Sequence, residues 1–82
     1  MPRVYFDKVD ASVTRVDLHE FFSRAGEVRS VMLITDKASG KSRGYGCVDM
    51  ATLDEAVYAI KWLKNSKIKG GSIRIDPVPP RA

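Results

Sequence analysis

The sequence predicts an α+β fold, in which a four-stranded antiparallel sheet carries two helices on one of its faces. Two observations predict it. Strand-like alternation and helix-like spacing of apolar residues follow one another in the order β-α-β-β-α-β, and each helical segment opens with a threonine followed three residues later by an acid. The chain has 82 residues, 44% of them hydrophobic, which suffices for one core but not for two.

The first strand is predicted over residues 3–9. Its side chains alternate, with Val4 and Phe6 on one face and Tyr5 on the other. We expect the helices to cover the face of Val4 and Phe6, so that Tyr5 points away from them.

The first helix is predicted to begin at Thr14, whose side chain can cap it together with Asp17. We expect Gly26 to end this helix, since a glycine commonly lies just past a helix C-terminus. Its apolar stripe consists of Val16, Leu18, Phe21 and Phe22.

A hairpin follows, with strands over residues 28–35 and 43–50 joined by the polar loop 36–42. The second of these strands reads RGYGCVDM, and its two faces differ in character. One face, suited to packing, carries Gly44, Gly46, Val48 and Met50. The other carries Tyr45, Cys47 and Asp49.

The second helix is predicted to begin at Thr52, with Glu55 completing the capping box. Its apolar face consists of Ala56, Ala59, Ile60 and Leu63. A short extra strand is expected around Ile68, and residues 72–76 form the last strand, where Arg74 faces opposite to Ile73 and Ile75. Trp62 is expected to pack at the edge of the core, and Tyr58 to be exposed.

Right-handed crossovers place both helices on one face and put the first and third strands side by side in the centre of the sheet. This arrangement is the ferredoxin-like sandwich. We expect a single domain over residues 1–78, followed by a short proline-rich tail over residues 79–82.

The net charge of +4 is concentrated in one segment. Residues 61–74 hold five cations and no acid, whereas residues 1–60 hold eight cations and nine acids. Such asymmetry indicates an anionic partner, or a solvated helix end and loop that lysines keep soluble.

Composition argues against several classes of function. Cys47 is the single cysteine, so an internal disulfide and a multi-cysteine metal site are excluded. We expect its thiol to be exposed, without an activating cation nearby. His19, the single histidine, belongs on the surface of the first helix, across the sheet from Cys47. We therefore expect no enzyme, no cofactor and no metal.

The N-terminus lacks the pattern of a signal peptide, and no apolar run approaches the ~20 residues that span a bilayer. These features predict an intracellular protein without a membrane partner, located in the cytoplasm or, in a eukaryote, the nucleus.

The helix-free side of the sheet, here called the open face, is predicted to carry Tyr5 and Tyr45 on neighbouring strands. Stacking of a nucleobase on such a ring is worth ~1–3 kcal/mol with little sequence preference. Cations that could hold the linking phosphates are Lys37, Lys41, Arg43 and Arg74. The second strand adds two apolar side chains to this face, Met32 and Ile34.

At these residues the chain resembles the RNA recognition motif family. The longer signature of that family runs K/R-G-F/Y-G/A-F-V-x-F/Y, and here it reads Arg43-Gly44-Tyr45-Gly46-Cys47-Val48-Asp49-Met50. The shorter signature is matched by Val4-Tyr5-Phe6 on the first strand. The resemblance extends from residue 3 to about residue 76 and implies the same fold.

The resemblance implies that Tyr5 stacks on a base, that Arg43 contacts a phosphate, and that Tyr45 lies against sugar or between nucleotides. It also marks a departure at Cys47, where the family has its second base-stacking ring. With ~1–3 kcal/mol lost, binding should be roughly 5- to 150-fold weaker than with both rings. Asp7-Lys8 is a further departure, and Asp49 and Asp76 place acids on or near the face.

The predicted partner is single-stranded RNA, bound by a monomer whose backbone at residues 75–78 reads base edges. The predicted site consists of Tyr5, Met32, Ile34, Lys41, Arg43, Tyr45, Cys47, Arg74 and Asp76. The alternative is a protein-interaction module that uses the same sheet face or the helices. The apolar character of Met32, Ile34 and Cys47 favours that alternative, whereas the Arg-x-Phe signature of the peptide-binding branch is missing from the segment KNSKIKGGS.

Overall fold

The computed structural model describes residues 2–79 and confirms the predicted element order. The elements are β1 (Arg3–Asp7), α1 (Arg15–Phe22), β2 (Val28–Thr35), β3 (Ser42–Met50), α2 (Leu53–Trp62) and β4 (Arg74–Asp76). All strand pairs are antiparallel, in the order β2-β3-β1-β4, so β1 and β3 are central as predicted. The proposed domain limits stay a prediction, and residues 80–82 of the proposed tail lie outside the described residues.

Both helices begin as the sequence predicts. The Thr14 hydroxyl accepts a hydrogen bond from the Asp17 amide at 3.2 Å, and the Asp17 carboxylate accepts one from the Thr14 amide at 2.9 Å. Thr52 and Glu55 repeat this reciprocal pair at 3.2 and 3.0 Å. Each box satisfies backbone N–H groups that the first helical turn leaves unpaired.

One hydrophobic core lies between the sheet and the two helices. The sheet contributes Val4, Phe6, Val48, Met50 and Ile75, and Ile73 joins them from the segment just before β4; all are buried. The helical layer contributes Leu18, Phe21, Phe22, Ala56, Ala59 and Leu63, also buried. Both helices pack on this side of the sheet, so the opposite side has no helix over it.

Gly46 holds the central strands close to the core. It lies opposite Phe6 on β1 and Leu33 on β2. A Cβ atom built at this position would overlap the carbonyl oxygen of Met32 and touch the Phe6 ring at 3.0 Å. A glycine is therefore required between the two neighbouring strands.

The first strand and first helix are shorter than predicted. β1 ends at Asp7, because Lys8 turns into the left-handed region with a φ of 62°. α1 ends at Phe22, where the Ser23 amide and hydroxyl both donate to the His19 carbonyl. The prediction that Gly26 ends the helix is wrong, and Gly26 instead leaves space for the Glu55 side chain that caps α2.

Two apolar helix residues do not join the core. Val16 is 66% exposed, so its predicted place in the buried stripe of α1 is wrong. Trp62 is 62% exposed, so its predicted packing at the core edge is also wrong, whereas Tyr58 is exposed as predicted. Small and aliphatic side chains fill the space under α2, which leaves the large indole no room there.

The last part of the chain is less regular than predicted. The extra strand around Ile68 is an isolated bridge to Gly71, and β4 starts at Arg74 instead of residue 72. Ile68 and Ile73 are nevertheless buried, so this segment still closes the core.

Candidate nucleic-acid interface

Strand register places four side chains in one row across the open face. Tyr5 on β1 lies opposite Cys47 on β3, and Cys47 lies opposite Met32 on β2. On its other side Tyr5 lies opposite Asp76 of β4. The row Met32–Cys47–Tyr5–Asp76 therefore crosses all four strands.

The two tyrosine rings lie together on this face, as the sequence predicts. Tyr45 precedes Cys47 by two residues on β3 and therefore points to the same side, diagonal to Tyr5. The side chain of Tyr5 is half-buried, and Tyr45 is 38% exposed. Both rings line one open recess of about 260 Å³, whose other lining residues are Arg3, Met32, Ile34, Gly46, Cys47 and Pro79.

The chain after β4 reaches the rim of this recess. The Val78 amide donates a hydrogen bond to the Asp76 carboxylate at 3.0 Å, which turns the backbone, and Pro79 then lines the recess. Pro79 is itself exposed, and the 38% exposure of Tyr45 shows that Pro79 does not cover its ring. Among the residues that the structure describes, none closes the recess over the two rings.

An ion pair next to the rings was missed by the sequence analysis. The Arg3 guanidinium makes two hydrogen bonds to the Asp49 carboxylate, at 2.7 and 3.1 Å, and the Ser30 hydroxyl adds a third at 3.0 Å. Asp49 is only 5% exposed, and the hydrogen bonds from Arg3 hold its pKa below the usual range. The negative charge predicted to oppose phosphate here is thus compensated within the protein.

Cys47 differs from its predicted state. It is 7% exposed, because Tyr5 and Met32 flank it across the neighbouring strands. Burial raises the pKa of its thiol, and the opposing effect of the Arg3 charge is smaller. The expectation of an exposed thiol without a nearby cation is therefore wrong, and at neutral pH Cys47 is a protonated, weakly polar part of the recess floor.

The two arginines expected to hold phosphate are both paired with carboxylates. Arg74 binds Asp7 through two hydrogen bonds of 2.8 and 2.6 Å, which lower the pKa of Asp7. Arg43 makes a single contact of 3.2 Å to Asp36, and both side chains of this pair are more than a third exposed. Such an exposed single contact is weak, so Arg43 can exchange its partner more readily than Arg74.

The remaining predicted residues lie at the edges of the face. Lys41 is exposed in the β2–β3 loop and takes part in no ion pair within residues 2–79. Ile34 lines the recess, and Met32 is 54% exposed, so both face outward as predicted. Asp76 is half-buried beside Tyr5.

Other features of the described residues point to no competing centre. A larger depression, of about 450 Å³, lies between the loop before α1 and the β2–β3 hairpin, and no aromatic ring lines it. Within residues 2–79 no group of three histidine, cysteine or acidic side chains could hold a metal. In the same residues no helix has the length and apolar character that crossing a membrane requires. His19 is exposed on α1, across the sheet from Cys47.

Comparison with protein-family models gives a match to the RNA recognition motif over residues 4–74. The RNA-binding protein CP33, chloroplastic, of Arabidopsis thaliana is 32% identical over 80 residues, which are 96% of this chain and 24% of that protein. The 31 kDa ribonucleoprotein, chloroplastic, of Nicotiana plumbaginifolia is 36% identical over 80 residues, 98% of this chain and 27% of that protein. The chain thus spans about a quarter of the length of these relatives.

Solved structures give the same result for the fold. The crystal structure of RNA Binding Protein PG1 superposes with a TM-score of 0.88 and 28% identity, and the match covers 100% of this chain and 99% of that one. One chain of a Sxl-lethal protein/RNA complex superposes with a TM-score of 0.86 at 20% identity, over 99% of this chain and 48% of that one, which shows the shared fold alone.

Proposed function

The chain belongs to the RNA recognition motif family, and from this premise we propose that it binds single-stranded RNA through the open face of its sheet. The observation that carries the proposal is the placement of Tyr5 and Tyr45 in one uncovered recess on the central strands. Base stacking on exposed rings tolerates every base, so binding has a loose sequence preference. The names of relatives, RNA-binding protein and ribonucleoprotein, support the same function.

Each ring has its own part in the proposal. Tyr5 stacks on one base, because it lies at the centre of the row that crosses the sheet. Tyr45 lies against the sugar or between neighbouring nucleotides. Met32 and Ile34 extend the apolar surface on which the next nucleotide packs.

The phosphates are bound by those cations that have no ion pair or only a weak one. Lys41 is exposed without an ion pair in the described part of the chain, and Arg43 has one weak contact to Asp36. Arg74 serves chiefly to neutralise Asp7, which reduces its own attraction for phosphate. The backbone of residues 75–78, which the Asp76–Val78 hydrogen bond orders, reads base edges.

Cys47 weakens the interaction. It occupies the position between Tyr5 and Met32 where the family has its second stacking ring. A thiol cannot stack on a base as that ring would, so the affinity for RNA is low to moderate, roughly 5- to 150-fold below that of an intact pair of rings.

A protein-interaction module is the second candidate. The observation that favours it is the apolar lining of the recess, to which Met32, Ile34, Cys47 and Pro79 contribute. Exposed apolar side chains on α2 offer a second place for such a partner. Non-catalytic function, a monomeric state and a cytoplasmic location remain predictions; the plant relatives are named as chloroplastic.

Salt dependence separates the two candidates. We expect the affinity for a short oligouridine to fall as salt rises, with a slope of log affinity against log salt of about −0.7 per contacted phosphate. Lys41 and Arg43 give about two contacts, so the slope should be about −1.4. Replacing Lys41 with glutamine should bring it to about −0.7. The exposed Arg24, which follows α1 in the helical layer, is replaced in the same way as the control for loss of one positive charge away from the open face. A slope near zero in the unsubstituted protein would favour the apolar protein interface.

A further inference from the structure

Two exposed aromatic rings on α2 have no role in the core. Tyr58 and Trp62 lie one turn apart, are 48% and 62% exposed, and have ring centroids 6.1 Å apart at an angle of 41°. The core beneath α2 is filled by Ala56, Ala59 and Leu63. This ring pair therefore presents a free stacking surface on the side of the molecule opposite the open face.

One lysine lies beside the ring pair, and further lysines follow it along the chain. The Lys61 ammonium lies 5.8 Å from the centroid of the Trp62 ring. Lys61, Lys64 and Lys67 are exposed, and none of them forms an ion pair in the part of the chain that the structure describes. Residues 61–74 contain no acid, whereas Asp54 lies one turn before Tyr58, so the positive charge is concentrated at the Trp62 end of the pair.

We propose that the ring pair and these lysines form a second contact surface for the same RNA strand that the open face holds. The proposal rests on the proposed function. Rings that stack bases and unpaired cations that attract phosphate are the two features of a single-strand binding surface, and charge complementarity selects a polyanion as the occupant. A purely apolar protein partner would leave the lysines without a role.

The chain itself supplies a path between the two surfaces. Residues 63–73 lead from the end of α2 to Arg74 at the start of β4, which is an edge strand beside β1. Lys64, Lys67 and Lys69 lie along this segment, although Lys69 is held by Asp17 at 3.3 Å. RNA that leaves the open face over β4 thus meets a cationic route toward the ring pair.

The proposal predicts that the contribution of the ring pair to affinity depends on the length of the RNA. The protein measures 37 × 26 × 23 Å. A strand that reaches from the open face to α2 must pass around the edge of β4, so a site that includes both surfaces needs a longer RNA than the open face alone. About four nucleotides are taken up by the open face, whereas about twelve leave chain that can continue toward the ring pair.

The test compares oligouridines of about four and about twelve nucleotides, the lower and middle part of the range of single-strand site sizes. We expect Trp62→Ala to weaken binding of the longer RNA roughly tenfold, within the range for loss of one stacked base, and to leave the shorter RNA unchanged. Leu53→Ala is the matched control, because Leu53 is 67% exposed on the same helix but nine residues away, on its opposite side. Thermal unfolding of each variant checks that the fold is kept.

Three outcomes would overturn the proposal. Unchanged affinity of Trp62→Ala for the longer RNA means that the ring pair has no role in RNA binding. Equal weakening for both lengths, or the same loss in Leu53→Ala, means an indirect effect on the sheet. Failure of the proposed function is recognised separately, because the unsubstituted protein would then bind the shorter RNA no better than Tyr5→Ala does.

Discussion

Replacing Tyr5 with alanine is expected to remove most of the RNA affinity while the fold stays intact. The ring lies at the centre of the row across the sheet, and its neighbour Cys47 offers no ring to take over the stacked base. Loss of one stacked base costs ~1–3 kcal/mol, or roughly 5- to 150-fold in the dissociation constant. The core uses the other side of β1, through Val4 and Phe6, so the unfolding temperature should change little.

Tyr5→Phe is the matched control for this experiment. It keeps the ring and removes only the hydroxyl, so its affinity for a short oligouridine should stay close to that of the unsubstituted protein. Titration followed by fluorescence anisotropy of a labelled RNA gives both values. Affinity that survives in Tyr5→Ala would mean that the sheet is not the binding surface.

Replacing Cys47 with phenylalanine is expected to tighten RNA binding. The new ring would project into the recess of about 260 Å³ between Tyr5 and Met32, where it can stack on a second base. A gain of ~1–3 kcal/mol corresponds to roughly 5- to 150-fold tighter binding. The same anisotropy titration measures it.

Cys47→Leu separates stacking from simple enlargement of the apolar surface. Leucine adds apolar volume at the same position without a π-face, so it should tighten binding much less than phenylalanine does. Equal gains from the two variants would argue for apolar contact, and unchanged or weaker binding by Cys47→Phe would argue against the missing ring as the cause of low affinity.

Much of the fold was predictable because local signals agreed with the global arrangement. The two capping boxes located both helix starts, and alternation in residues 43–50 assigned each side chain of β3 to its correct face. The placement of Tyr5 and Tyr45 on the same face followed from this alternation and from the strand order. Gly46 has no room for a side chain between β1 and β2, so the glycine at this position of the longer signature was a reliable sign of the strand arrangement.

The features that could not be predicted from the sequence depend on contacts between distant segments. Arg3 and Asp49 are 46 residues apart, and their ion pair becomes visible only once the register of β1 against β3 is known. Burial of Cys47 depends in the same way on its neighbours across two strands. The exposure of Trp62 could not be judged from helical spacing, because the space under α2 is set by the sheet beneath it.

The first helix shows the same limit at shorter range. A glycine after an apolar stripe is a good sign of a helix end, yet α1 ends at Phe22, and the amides of Arg24 and Ala25 then bond carbonyls three residues back in a tighter turn. Gly26 is needed for a tertiary reason, the close approach of Glu55, which no local rule reveals.

The most direct test of RNA binding by the open face is an NMR titration of the labelled protein with an oligouridine of about four nucleotides, the lower end of single-strand site sizes. We expect intermolecular nuclear Overhauser effects from the Tyr5 and Tyr45 rings to base and ribose protons, together with amide shift changes on β1 and β3. Shift changes confined to the helices, with no Overhauser effect from either tyrosine, would contradict it.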